Sequence, residues 1–291
     1  MKRILLIFMA IMAIVTASAT NRALLVGISD YGNPRGNYPD RLWRNINGAK
    51  DIEILRPTLE KRNFKVATLT DGDATKAAIV SALKKLAKDS KAGDVVYLHF
   101  SMHGQLVEEG TKWNPKKDEK DGWDEALVPV DAKMVFKEGE YWGQNHLLDD
   151  ELRPLIDKIR KAVGSKGIVY VALDACHAGG SARGDEPVRG TLKPFTPSGL
   201  TYKKSDKPRW IVSTTTGQSR VLFLEACKSS EVNKEIRIST KPSVYCGRLT
   251  YYINAVISKQ AIGISTDWTL DVQQQMNTPN ATQTMVIEKS K

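Results

Sequence analysis

The chain has 291 residues, with 43 Lys or Arg against 33 Asp or Glu, so its formal net charge at pH 7 is +10. This length allows one large domain or two small ones with a full hydrophobic core. The basic residues are spread along the chain, which argues against nucleic-acid binding. The three cysteines, Cys176, Cys227 and Cys246, exclude a disulfide scaffold and lack zinc-finger spacing. In an exported protein Cys227 and Cys246 can pair, leaving Cys176 free.

The N-terminus has the pattern of a secretory signal peptide. Lys2 and Arg3 form a basic region, and an apolar stretch too short for a membrane span follows at residues 4–15. Residues 17–19 match a cleavage pattern of small residues. We therefore predict a signal peptide over 1–19 and a periplasmic or extracellular mature protein that does not associate with membranes. An uncleaved N-terminal anchor is the alternative.

The first half of the chain alternates between strand-like and helix-like patterns. Apolar, β-branched runs indicate buried strands, and apolar residues three and four apart indicate helices. In chain order these are a strand at 22–29, a helix from Asn47 or Gly48, a strand at 64–69, a helix capped by Asp73 or Thr75, and a strand at 94–100. This order predicts an α/β fold with a parallel sheet covered by helices.

The second half is less regular. A region rich in charge, Gly and Trp at 105–146 predicts an extended loop, and a polar stretch with Gly and Pro at 178–208 predicts a mobile segment. The other predicted elements are a helix at 148–163, strands at 168–173 and 210–215, a hairpin or insertion at 219–241 and a helix at 249–257.

Two of the predicted strands end in residues with catalytic chemistry. His103 follows the strand at 94–100, and Cys176 follows the strand at 168–173. If these strands are parallel neighbours, both residues leave the sheet at the edge where α/β proteins place their sites. A thiol beside an imidazole is an activated nucleophile, so the pair predicts nucleophilic catalysis. An inert buried thiol is the alternative for Cys176.

The order of five motifs resembles that of the caspase-like cysteine peptidases, and within them the metacaspases and their bacterial relatives. The motifs are Gly48-Ala49-Lys50-Asp51, Ser101-Met102-His103-Gly104, the acidic loop at 121–131, Leu148-Asp149-Asp150-Glu151-Leu152 and Asp174-Ala175-Cys176-His177-Ala178-Gly179. Met102 and Ala178 stand where the family has Gly and Ser. The likeness covers about residues 22–216, with a weaker tail to Ile257.

This resemblance implies a caspase-like three-layer α-β-α sandwich with a mostly parallel central sheet. The peptidase domain is then expected over residues 20–291. Its core lies at about 22–216, and a C-terminal p10-like portion lies at about 217–291.

The resemblance also implies roles for individual residues. His103 and Cys176 match the catalytic dyad, and the backbone N–H groups of Gly104 and Cys176 match the oxyanion hole. Three further residues match a pocket that binds a basic side chain before the scissile bond, where carboxylates accept charge-assisted hydrogen bonds: Asp51, Ser101 and Asp174. The alternatives are a helix N-terminal charge for Asp51 and a turn-forming role for Asp174.

Several relatives need calcium, and this chain has acidic residues at matching positions. Asp124, Asp149 and Asp150 resemble the calcium ligands, since Ca²⁺ prefers oxygen donors. Helix capping by Asp149 and Asp150 and a solvated loop around Asp124 are the alternatives. No cofactor is expected for the chemistry itself, and Ca²⁺ is a candidate activator.

We therefore predict an exported, monomeric cysteine endopeptidase that cleaves peptide or protein substrates after Arg or Lys through a thioester acyl-enzyme. A basic residue in the segment after the nucleophile is then a candidate for self-cleavage of a zymogen: Arg183, Arg189 or Lys193. The alternative is a catalytically weak or inactive caspase-like module with a binding or regulatory role. A clostripain-type peptidase would share the basic specificity.

Overall fold

The computed structural model describes residues 19–32, 43–176, 187–191, 193–203, 213–279 and 281–290. The predicted signal peptide lies outside the described residues except for Ala19, and so do His177, Ala178 and Arg183. None of the helices in the described ranges is long and apolar enough to cross a membrane.

Eleven strands and five α-helices are present in the described part of the chain. The strands are β1 (Asn21–Gly27), β2 (Phe64–Thr70), β3 (Val95–Ser101), β4 (His103–Glu108), β5 (Trp123–Val128), β6 (Leu147–Leu148), β7 (Ile168–Asp174), β8 (Arg220–Glu225), β9 (Glu235–Thr240), β10 (Ser243–Gly247) and β11 (Val286–Lys289). The helices are α1 (Gly48–Lys61), α2 (Lys76–Asp89), α3 (Asp149–Val163), α4 (Arg248–Ile257) and α5 (Asp267–Met276).

A six-stranded sheet in the order β11-β8-β7-β3-β1-β2 forms the centre of the fold. All neighbours pair in parallel except β11, which is antiparallel to β8. Side chains of β3 alternate between the two faces: Val96, Leu98 and Phe100 pack toward α2 and α3, whereas Val95 and Tyr97 pack toward α1, α4 and α5. The predicted three-layer α-β-α sandwich is therefore confirmed.

The region predicted as an extended loop contains a small antiparallel sheet. β4 pairs with β5, and β5 pairs with β6. Gln105, Glu108 and Asp124 are buried within these strands. Polar side chains at buried positions remove the apolar alternation that marks a strand, so the sequence pattern concealed the sheet.

The prediction of a strand at 210–215 is wrong where it can be compared. Residues 210–212 lie outside the described ranges, and 213–215 are not in a strand. The strand next to β7 is β8, which lies within the segment predicted as a hairpin or insertion. The hairpin itself is formed by β9 and β10. Helix α5 and strand β11 were not predicted.

Candidate active site

The sheet register brings His103 and Cys176 to the same edge. β3 and β7 are parallel neighbours with Ser101 directly beside Asp174. Each candidate catalytic residue follows its strand by two positions, so both lie beyond the carboxyl ends of adjacent central strands. This is the placement that the two strand patterns predicted.

The imidazole of His103 is held by the loop that precedes α1. Its Nε2 lies 2.8 Å from the carbonyl oxygen of Arg44. A carbonyl only accepts hydrogen bonds, so Nε2 carries the proton and Nδ1 presents a lone pair. That Nδ1 is buried and has no hydrogen-bond partner among the described residues. Burial lowers the pKa of His103 to about 4, against the opposing effect of the Arg44 carbonyl, so the ring is neutral at pH 7.

Two aromatic residues that sequence reasoning missed fix the plane of this ring. Trp43 stacks on His103 with ring centroids 4.9 Å apart, and Tyr31 lies at the same centroid distance. The Tyr31 hydroxyl accepts a hydrogen bond from the His103 backbone N–H and donates to the Val128 carbonyl. Both aromatic residues lie in the Gly- and Pro-bearing loop region after β1. The sequence signal available for them was an isolated aromatic residue in a loop.

Cys176 is buried, with its thiol 3.3 Å from the carbonyl oxygen of Glu231. Its backbone N–H donates a 2.7 Å hydrogen bond to the carbonyl of Arg189. Gly104, the other residue matched to the oxyanion hole, lies in β4 opposite Leu127. The three cysteines are all free thiols, so Cys227 and Cys246 are not paired in this structure.

A buried acidic pocket lies beside Cys176 and encloses the side chain of Arg189. The Nη1 atom of Arg189 lies 2.7 Å from Asp51 Oδ2, 2.5 Å from Ser101 Oγ and 3.4 Å from Asp174 Oδ1. Thus all three residues matched to a basic-specificity pocket meet around one guanidinium group. The sequence did not indicate the fourth member, Glu235, whose Oε1 accepts from Nε at 3.1 Å and Nη2 at 2.8 Å.

The carboxylates of the pocket are oriented by other groups. Asp174 accepts hydrogen bonds from Asn233 Nδ2 and from the N–H and hydroxyl of Thr250. Asp51 accepts from Ser101 Oγ at 2.6 Å and from the N–H of Gly247 at 2.9 Å. With these donors, the two carboxylates form part of a defined pocket. Neither Asp51 as a helix-end charge nor Asp174 as a turn former would need such partners.

The two carboxylates differ in their protonation. Burial raises the pKa of Asp51 to about 6, although Arg189 opposes the shift. Burial also acts on Asp174, but Arg189 and the hydrogen bonds from Asn233 and Thr250 outweigh it and lower its pKa. One guanidinium group faces three carboxylates, and the negative charges of Asp174 and Glu235 raise the pKa of Asp51 further.

Glycine is required at the pocket wall. A Cβ atom at Gly247 would lie 2.1 Å from Asp174 Oδ2 and 2.6 Å from Arg189 Nη1. No side chain fits without displacing the carboxylate or the guanidinium group. The residue therefore allows the chain between β10 and α4 to approach the pocket closely.

The backbone around Arg189 crosses the site as an extended peptide. The Arg189 N–H donates to the Asn233 carbonyl, and the Glu235 N–H donates to the Pro187 carbonyl, both at 3.0 Å. On the other side, a Cβ at Gly190 would lie 3.2 Å from Cys176 Cβ. The bond between Arg189 and Gly190 therefore lies against Cys176. Downstream, Phe195 exchanges backbone hydrogen bonds with β4.

A second acidic cluster includes the residues matched to calcium ligands. Asp124 Oδ1 and Asp149 Oδ1 are buried and have no hydrogen-bond partner among the described residues. Burial raises the pKa of Asp124 to about 6 and that of Asp149 to about 8. Asp150 instead pairs with Lys116 at 2.6 Å. Oxygen donors of this kind fit a Ca²⁺ ion.

The structure adds two carboxylates to this cluster. Oxygens of Glu109 and Asp118 lie within 4.8 Å of an oxygen of Asp124 and of each other. Sequence reasoning missed both because neither lies in one of the five matched motifs.

Met102 does not enter the site. Its side chain is fully buried in the hydrophobic core, together with Leu127, Leu147 and Ala175. The Met102 side chain, which stands where the family has a glycine, therefore does not crowd the pocket around Arg189. His146, for which the sequence offered no partner, contacts Gln105 Oε1 at 2.8 Å and the Tyr141 hydroxyl at 3.1 Å.

Comparison with known proteins places this architecture in a family. The chain is 31% identical over 170 residues to Metacaspase-1B of Aspergillus fumigatus, which covers 54% of the chain and 35% of that protein. It is 31% identical over 171 residues to Metacaspase III c of Phaeodactylum tricornutum, covering 56% and 44%. The matches thus span less than half the length of these two relatives.

A Geobacter sulfurreducens protein of known crystal structure has the same fold, with a TM-score of 0.62, 21% sequence identity and 93% coverage of both chains. Residues 20–288 match the family model of the caspase domain. The chain therefore belongs to the caspase-domain family of cysteine peptidases, with metacaspases among its relatives.

Proposed function

We propose that this protein is an exported cysteine endopeptidase that cleaves after a basic residue, with Cys176 as nucleophile and His103 as acid–base partner. One observation carries the proposal. A basic side chain, that of Arg189, fills a pocket of buried carboxylates while its own carbonyl oxygen accepts a hydrogen bond from the Cys176 N–H. A peptide bound in this way presents its carbonyl carbon to the thiol beside it.

The reaction follows from the positions of the two candidate catalytic residues. The Cys176 thiolate attacks the carbonyl carbon, and the developing oxyanion is stabilised by the Cys176 N–H. His103 accepts the thiol proton at Nδ1 and delivers it to the leaving amine, while the Arg44 carbonyl holds its Nε2–H. Water then hydrolyses the thioester, and no metal takes part in these steps.

We also propose that the chain first cleaves itself between Arg189 and Gly190. Of the three basic residues predicted for self-cleavage, Arg183 lies outside the described residues. The carbonyl of Lys193 accepts a hydrogen bond from Gln105 Nε2, away from the nucleophile. Of Arg189 and Lys193, the two candidates that the structure describes, only Arg189 has a carbonyl oxygen that contacts Cys176. The uncut chain is then a zymogen that blocks its own pocket.

Calcium is proposed as an activator that binds the second acidic cluster. The two buried carboxylate oxygens without partners, on Asp124 and Asp149, support this assignment, as do the nearby Glu109 and Asp118. Asp150 is proposed as a further ligand, which would give up its ion pair with Lys116 to bind Ca²⁺.

Peptidase activity is tested with fluorogenic peptides ending in Arg, Lys or Asp, incubated with the mature chain and with Cys176→Ala, with calcium and with chelator. We expect cleavage after Arg and Lys that is lost in Cys176→Ala. The wild-type chain should also release two fragments that mass spectrometry assigns to a cut after Arg189. A folded wild-type chain that cleaves neither itself nor any peptide would refute the proposal and favour a binding module.

A further inference from the structure

The basic pocket has two distinct sides, and they contact different atoms of the guanidinium group. Asp51 and Ser101 contact only Nη1 of Arg189. Glu235 contacts only the opposite edge, where its Oε1 accepts from both Nε and Nη2. The Arg189 and Glu235 side chains are fully buried, so water does not replace these contacts.

A lysine side chain lacks the atoms that Glu235 contacts. Its ammonium nitrogen replaces the guanidinium Cζ, and it has a methylene group where arginine has Nε–H. Lysine can still approach Asp51 as a point charge. It offers Glu235 neither of the two N–H donors that arginine supplies, so the carboxylate loses two charge-assisted hydrogen bonds.

Glu235 is held so firmly that it cannot follow a shorter side chain. Its Oε1 accepts a 2.7 Å hydrogen bond from the Asn47 N–H, and its Oε2 accepts from Asn47 Nδ2. Its backbone lies at the start of β9, where its N–H donates to the Pro187 carbonyl. A buried carboxylate fixed at both oxygens and at its main chain keeps its place when the ligand changes.

We propose that Glu235 selects arginine over lysine at the residue before the scissile bond. This inference rests on the proposed peptidase function, since it assigns the specificity of the same pocket. A site built to hydrogen-bond a group discriminates strongly against a ligand that lacks it. Because lysine keeps its charge, we expect a preference of about 100-fold in kcat/KM rather than the larger ratios seen for loss of a whole polar group.

The first test needs no catalytic activity. In a Cys176→Ala background that cannot cut itself, the free energies of unfolding of four chains form a double-mutant cycle: the parent, Arg189→Lys, Glu235→Gln and the double variant. We expect Arg189→Lys to destabilise the parent clearly and to have much less effect once Glu235→Gln is present. Glu53→Gln, an exposed carboxylate on α1, is the matched control and should show no coupling with Arg189→Lys.

The second test measures selectivity directly. The wild-type chain, after it has cut itself following Arg189, is compared with the Glu235→Gln chain treated in the same way, on paired peptides that differ only in Arg or Lys before the scissile bond. We expect the ratio of kcat/KM for Arg over Lys to fall from about 100 to below about 10, mainly through the Arg peptide. Glu235→Asp, which keeps the charge but shortens the side chain, provides a second variant if Glu235→Gln does not fold.

The results of the two tests support or overturn the role of Glu235 as follows. Absence of coupling in the unfolding cycle, or an Arg-to-Lys ratio unchanged by both Glu235 variants, overturns the assignment. Coupling together with a reduced ratio supports it. If the cycle shows coupling but the wild-type chain hydrolyses no peptide, the peptidase proposal has failed and Glu235 has no substrate to select.

Discussion

Arg189→Ala should strongly destabilise the uncut chain, because Arg189 is the cation that compensates three buried carboxylates. Asp51, Asp174 and Glu235 all contact its guanidinium group, and all four side chains are fully buried. Removing one partner of a buried ion pair costs about 3–5 kcal/mol, since the remaining charge stays desolvated. We expect a loss of about 4 kcal/mol at pH 7.5, measured by urea unfolding in the Cys176→Ala background.

The loss of stability caused by Arg189→Ala should be larger at pH 7.5 than at pH 5. The folded-state pKa of Asp51 is raised by burial to about 6 from its ordinary value of 3.8, so the folded chain binds a proton at a higher pH than the unfolded chain does. Its contribution to stability is therefore greatest below about pH 4 and falls as pH rises towards 6. Without Arg189, which lowers this pKa, the fall continues to higher pH. We expect the deficit of Arg189→Ala to be about half as large at pH 5 as at pH 7.5.

Arg160→Ala is the matched control for removing a buried arginine. Arg160 is also fully buried, but it pairs with Asp157, which is largely exposed, and with the Ser219 carbonyl. Its removal leaves no buried carboxylate without a cation, so its deficit should not change between pH 5 and 7.5. A deficit for Arg189→Ala below about 1 kcal/mol, or one equal at both pH values, would refute the charge argument.

Three further changes test other parts of the site. Trp43→Ala removes the ring stacked on His103 and should lower kcat about tenfold or more with little change in KM, measured by peptide hydrolysis; an unchanged kcat would show that the Arg44 carbonyl alone orients the imidazole. Gly247→Ala places a methyl group on Asp174 and should slow self-cleavage and destabilise the chain by about 1–3 kcal/mol, whereas Gly263→Ala, which meets open space and also lacks a positive φ, is the control and should have little effect. Asp149→Asn should abolish the calcium-induced rise in Tm, because Asp149 Oδ1, which has no hydrogen-bond partner among the described residues, is proposed to bind the ion; the change of Tm in chelator reports the loss of the Arg153 ion pair, and a full calcium response in this variant would exclude Asp149 as a ligand.

The helices up to β3 were predictable because each buries one face, which imposes a period on the local sequence, and β3 was predictable because burial on both faces gives a continuous apolar run. The same holds for β7 and for helix α3. The shared position of the two candidate catalytic residues was predictable for a related reason. His103 and Cys176 each follow a buried strand, and parallel pairing brings such ends together. The motifs around Asp51, Ser101 and Asp174 then indicated a basic-specificity pocket.

Local sequence did not indicate the residues that complete the site. Glu235 lies on a hairpin strand with mostly exposed neighbours, and Trp43 and Tyr31 lie in loops without periodicity. Arg189 looked like one of several basic residues in a polar segment. Their roles depend on contacts with residues 46 to 188 positions away, such as Glu235 with Asn47 and with Arg189.

The sequence by itself therefore determined the sheet-and-helix frame, the two strand ends with their thiol and imidazole, and the acids that follow from the motifs. Only the tertiary structure decided that Arg189 fills the pocket and that Glu235 closes its far side. The physical reason is that burial of a strand or helix leaves a pattern of apolar residues in the local sequence. The meeting of distant charges instead depends on how the hairpin and the segment after Cys176 pack onto the sheet edge.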